Sequence, residues 1–165
     1  MVAISLAIGI PWFIWGQQRS PTDVFIGATP GRDLGLGILT GVICAVLAWL
    51  LLWRIPSLAQ VLYTIREILN LPTLDRETLL MMAVGAGIGE EIIFRGILQP
   101  HLGVWGTAVL FGLAHPLSPS YTVYAALAGL VLGYLALWTH ALLAPIACHA
   151  VYDGLLLIWL KRSSK

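Results

Sequence analysis

Gly89-Glu90-Glu91-Ile92-Ile93-Phe94-Arg95 sets two adjacent carboxylates and an arginine inside an apolar run. From Leu79 to Leu160 the remaining Asp, Glu, Lys and Arg residues reduce to Asp153. A charge at the centre of a bilayer helix costs about 2.5–3.5 kcal/mol on insertion scales. Three within six positions persist only where they pair, face a polar cavity or do chemistry. Glu91 and Arg95 stand four residues apart with the acid first, the favourable order for a helical ion pair. Glu90 projects about 100° from Glu91 around the helix and has no partner on its own helix. Glu91–Arg95 therefore reads as structural and Glu90 as the working carboxylate.

The surrounding composition says what kind of helix this is. Of 165 residues, 59% are hydrophobic and 10% charged, with a mean hydropathy of +0.89. Soluble domains carry about 25% charged residues, so the chain reads as an integral, multi-pass membrane protein whose surroundings are the lipid bilayer. A net charge of +1 argues against a nucleic-acid partner. Cys44 and Cys148 both lie in apolar segments, which suggests neither a disulfide framework nor a Cys/His zinc site. Residues 1–16 lack a basic leader and a clear cleavage motif, so they read as a retained span.

Working outward from the motif, the pattern predicts an all-α, polytopic membrane helical bundle of about six transmembrane helices plus one amphipathic surface helix. Residues 2–16 form a first, aromatic-rich span and 17–33 a polar loop. Leu34 to Trp53 is a run of 20 apolar residues, enough to cross ~30 Å of hydrocarbon. Between Ser57 and Leu69, Leu58, Val61, Leu62, Ile65, Ile68 and Leu69 recur at 3–4-residue spacing, the mark of an amphipathic helix lying on the membrane surface. Leu71-Pro72-Thr73 breaks it. The motif-bearing span follows at 79–99, with Gly85 and Gly89 as a small-residue packing face. Pro100 and Gly103 mark a tight turn. Further spans begin at Val104–His115 and cover Tyr121–Trp138 and Ala141–Leu160. The chain is thus one membrane domain, 1–165, made of N-terminal spans (1–56), the surface helix (57–71) and a core (75–160). With six spans, one side carries six Lys/Arg (54, 66, 76, 161, 162, 165) and the other two (19, 32). The positive-inside rule then puts both termini in the cytoplasm, with the plasma membrane the expected location.

Three more polar groups interrupt the apolar half. His115 ends Phe111-Gly112-Leu113-Ala114-His115, and His149-Ala150-Val151-Tyr152-Asp153 sets His149 and Asp153 one turn apart on one face. Counted at 1.5 Å per residue from the nearest span ends, Glu90, His115 and His149 all fall about 17–18 Å deep. Four polar groups from three helices at one depth form a site. A carboxylate and an imidazole hold a water and take its proton. A second imidazole donates to the oxyanion on the attacked carbonyl. That is amide hydrolysis without a covalent enzyme intermediate. Other intramembrane hydrolases fit less well. A single intramembrane Asp rules against an aspartyl pair, and neither G-x-S-x-G nor H-E-x-x-H is present. Cys148 and His149 diverge around their helix, which argues against a thiol mechanism.

Glu90-Glu91-x-x-x-Arg95, Phe111-x-x-x-His115 and His149-x-x-x-Asp153, in this order, resemble the motifs of the CAAX prenyl endopeptidase and bacteriocin-processing family (CPBP, also called ABI). The resemblance covers roughly residues 75–160. It implies a membrane-embedded peptidase with helices around a polar cavity, acting on a membrane-associated or lipidated peptide or protein. By that resemblance Glu90 and His115 activate water, His149 and Asp153 stabilise the oxyanion, and Glu91 and Arg95 support them. Some members carry Asn where this chain has Asp153; an ionised Asp cannot donate to an oxyanion. Either Asp153 is protonated, or it orients His149, or the site holds a cation. Members are often termed metalloproteases, and Glu90, His115, His149 and Asp153 would then ligate a divalent metal such as zinc. The reading itself calls for no cofactor.

Plainer explanations stand beside each of these. The Glu90/Glu91/Arg95 triplet alone describes a buried ion-pair network, and His149–Asp153 an intrahelical hydrogen bond. His101 and His140 sit at turns and read as interfacial, Trp and Tyr residues at span ends as belt anchors, and Phe111 as packing. The alternative function is a non-catalytic membrane binding or bacteriocin-immunity protein using the same cavity.

Overall fold

Helices begin where the sequence supplies a proline or a capping side chain. The computed structural model describes residues 20–52 and 54–163. Ser20 accepts from the Asp23 N–H to start α1 (Pro21–Phe25), and α2 follows as Pro30–Leu52. Pro56 opens α3 (Pro56–Ile68), and a 3₁₀ turn covers Leu71–Thr73. Asp75 caps α4 (Arg76–Glu91) through the Thr78 N–H. A π-helical segment, Ile92–Leu98, continues α4 into α5 (Gln99–Leu113). Ser118 caps α6 (Pro119–Thr139) through the Tyr121 N–H, and α7 is Leu143–Arg162. Among the described residues the architecture is an all-α bundle, and the chain reads as an integral membrane protein.

The expected spans are met unevenly. The first, at 2–16, lies outside the described residues. Three stretches are long and apolar enough to cross a membrane: Pro21–Leu51, Pro119–Thr139 and Leu143–Arg162. The motif-bearing helix α4, 16 residues long, is not among them. The expected break before the fourth span falls at Gly103. Its φ of 67° and ψ of 176° break α5, leaving Val104–Leu113 as an arm of about 15 Å, half a bilayer core. The 17–33 loop is corrected as well, because α1 and the first turn of α2 occupy part of it.

Close backbone approach sets the packing. At Gly41 a Cβ would stand 2.6 Å from the Cys148 carbonyl oxygen, so α2 presses directly on α7, the two running parallel. Gly87, lying between the expected contacts Gly85 and Gly89, meets Ile146 and Ala150 and lays α4 antiparallel on α7. The arm after Gly103 runs antiparallel to α6 and packs on it. The amphipathic helix α3 does not simply lie on lipid. Its Leu58 and Leu62 are buried against Leu71, Leu79, Leu156 and Leu160 at one end of the bundle. Arg66 ties it there, donating from Nε to the Leu160 carbonyl at 3.1 Å. Leucine, valine and tryptophan side chains of α2, the α5 arm and α6 point outward instead, a lipid-facing surface.

Candidate active site

The last turn of α4 splits its two carboxylates between two environments. Glu91, fully buried, accepts from Arg95 Nη1 at 2.8 Å and lies 2.8 Å from His149 Nδ1, both on the same oxygen, Oε1. Arg95 donates from Nη2 to the Gly129 carbonyl at 2.9 Å, pinning the π segment to α6. Its guanidinium also lies over the Phe111 ring, 4.7 Å from the centroid. This layer joins α4, α6 and α7 through direct hydrogen bonds.

Glu90 faces the other way. Its Oε2 lies 3.7 Å from His115 Nε2 and 4.0 Å from His149 Nε2, and it holds no hydrogen bond from the protein. Both rings are fixed through their other nitrogen. His115 Nδ1 is 2.7 Å from the Phe111 carbonyl, which can only accept, so Nδ1 carries the proton and Nε2 is free in the neutral ring. His149 Nδ1 faces the Glu91 carboxylate in the same way. Asp153 Oδ2 is 3.5 Å from His149 Nε2, near it but beyond a direct hydrogen bond. The structure thus gathers Glu90, His115, His149 and Asp153 on one side and Glu91 with Arg95 behind them. His101 and His140 stand apart, at the Gly103 turn and the α6–α7 turn.

The four polar groups edge a cavity of about 330 Å³ between α2, α6 and α7. It extends from the site toward the end where α2 finishes and α6 begins, past Leu47 and Leu51 on one wall and Tyr121 and Tyr124 on another. One expectation needs correction here. Tyr121, at a span end, lines this cavity with Tyr124 and Tyr152 instead of serving as a belt anchor, and the Tyr124 and Tyr152 hydroxyls are hydrogen-bonded to each other. Their signal was the i, i+3 spacing of 121 and 124 and the placement of Tyr152 beside Asp153. Phe111 packs as expected, its buried ring 4.7 Å from that of His115, 6.0 Å from that of His149 and 4.7 Å from the Arg95 guanidinium. A second cavity, of about 460 Å³, lies at the opposite end, and Arg95 is the one member of the cluster that borders it.

Among the described residues no group of three or more His, Cys, Asp or Glu side chains is arranged to hold a metal. The term metalloprotease, expected from the resemblance, therefore finds no support in the donor geometry.

Residues 75–155 match the family described as type II CAAX prenyl endopeptidase, Rce1-like. Over that segment, just under half of its length, the chain is similar to the Rce1-like family. The Rce1-like segment holds every residue of the cluster, from Glu90 to Asp153, and starts after α3. A curated relative, the uncharacterized protein YpbD of Bacillus subtilis (strain 168), is 31% identical over 68 residues. That match covers 39% of this chain and 36% of YpbD, so the chain spans about a third of its relative's length. No solved structure matches the chain.

Proposed function

We propose that the chain is an intramembrane endopeptidase that hydrolyses a peptide bond with water activated by Glu90 and His115. The observation carrying this reading is the 3.7 Å and 4.0 Å approach of Glu90 Oε2 to two imidazole Nε2 atoms whose orientations are fixed elsewhere. A water within reach of Glu90 and His115 attacks the substrate carbonyl carbon while its proton passes to that pair. His149, protonated and held by Glu91, donates from Nε2 to the carbonyl oxygen as it becomes an oxyanion. The intermediate collapses with cleavage of the C–N bond, and the proton returns to the departing amine. Glu91 and Arg95 position His149, and Asp153 orients it from the cavity side. No step passes through a metal, so a chelator leaves turnover unchanged.

The substrate is a membrane-associated or lipidated peptide, in keeping with the apolar walls that flank the polar end of the cavity. The cavity extends toward the end of the bundle that carries Arg54, Arg66, Arg76, Lys161 and Arg162, which the positive-inside rule assigns to the cytoplasm, the termini with it. Reporter fusions at each terminus test that orientation in the plasma membrane. Glu90→Gln in a reconstituted cleavage assay tests the chemistry. Hydrolysis disappears if Glu90 is the base. Unchanged function would instead favour the binding or immunity role, which needs the cavity but no proton transfer.

A further inference from the structure

Gly37 and Gly41 bring α2 against α7 so closely that a Cβ at 41 would also stand 3.2 Å from the Cys148 Cα. One turn beyond Gly41 on α2 comes Cys44, facing Cys148 across the contact. Both thiols are free, and both line the cavity that holds Glu90 and His149. They are the chain's two cysteines. Disulfide formation needs Cα atoms within about 7 Å and side chains directed at each other. Helices in this close backbone contact, with both thiols turned to one cavity, bring both conditions within reach. Access is unequal: Cys44 is half-buried while Cys148 is 2% exposed. An oxidant entering the cavity meets Cys44 first, with Cys148 poised behind it as the resolving thiol.

We propose that Cys44 and Cys148 form a reversible oxidation site, closed by a small peroxide into a disulfide that staples α2 to α7 beside the catalytic cluster. The Cys44 sulfur attacks a peroxide oxygen, giving a sulfenic acid and releasing water. The Cys148 sulfur then attacks the Cys44 sulfur, forming the S–S bond and expelling a second water. Two thiols lose two electrons, and the peroxide bond takes them up. The functional consequence rests on the peptidase reading. Cys148 precedes His149, so tightening the α2–α7 contact shifts the imidazole and narrows the cavity wall at Cys44.

The test counts thiols, which does not depend on any activity. Purified protein in detergent is treated with hydrogen peroxide, denatured, alkylated with N-ethylmaleimide and weighed intact. Untreated protein takes two adducts, oxidised protein none, and dithiothreitol restores both. Cys44→Ser and Cys148→Ser each keep a single alkylatable thiol and form no internal bond. Two adducts after peroxide, loss that dithiothreitol does not reverse, or covalent dimers on a non-reducing gel would each overturn the proposal. Cleavage by the oxidised form falls by on the order of ten- to a hundredfold, the scale of an ~1 Å displacement of a catalytic group, and recovers on reduction. Unchanged thiol counts with active enzyme refute the site alone. Closed disulfide with no measurable cleavage before or after refutes the peptidase reading instead.

Discussion

Glu90 and Glu91 are neighbours in the chain, yet each belongs to a different protein interior. Behind the α4 turn, Glu91 is fully buried and shared between Arg95 and His149 at 2.8 Å each. In front, Glu90 faces two imidazoles at distances too long for hydrogen bonds and opens onto a cavity. The comparison shows two ways a membrane segment tolerates charge. One carboxylate is neutralised by a buried guanidinium and an imidazole. The other keeps its capacity for bonding unspent beside a cavity, which is what a base needs.

The sharpest way to break that contrast is Glu90→Gln. Turnover should fall by about 10²–10⁴-fold, the usual contribution of a general base, while the unfolding midpoint in detergent stays close to the parent's. Arg95→Met should do the reverse kind of damage. Removing one partner of a buried pair costs about 3–5 kcal/mol, read from denaturant or thermal unfolding. Adding Glu91→Gln to Arg95→Met should then cost less than the two single losses summed, because the orphaned charge is gone. Gly41→Val probes the wall opposite the cluster: with the Cys148 carbonyl oxygen 2.6 Å from the added Cβ, overpacking should lower stability by about 1–3 kcal/mol. The smallest effect lies outside the bilayer. The Thr78 N–H holds the Asp75 carboxyl below its ordinary value of 3.8. A lowered folded-state value stabilises the protein above that pH and ceases to as pH falls through the shifted value. The α4 cap should therefore weaken only in acid, and Asp75→Ala should flatten that part of the pH–stability curve.

Much of this was legible because charge in an apolar sequence is rare enough to read. Glu90, His115, His149 and Asp153 stood out against leucine and alanine, and the i, i+4 rule foretold the Glu91–Arg95 pair. The bond from His149 to Glu91 was not legible, since it joins helices 58 residues apart. Nor was the π segment, which has no pattern of its own and is set by what Arg95 reaches on α6. The break at Gly103 was legible because Pro100 and Gly103 interrupt an apolar run. Tyr121 was misread because an amphipathic ring suits a membrane interface and a polar cavity equally well.

The half-length arm after Gly103 has an effect on hydration. Where it stops, Ala114 to Leu117 run without regular helix before Ser118 restarts the chain, and Pro116 has no N–H to offer. Backbone of that kind is tolerated at membrane depth only beside protein or water. The irregular stretch carries His115, whose ring stays part-exposed at the edge of the cavity. An interruption in the scaffold itself thus leaves the imidazole open to a small polar reactant, with no need for a pore through the whole bundle.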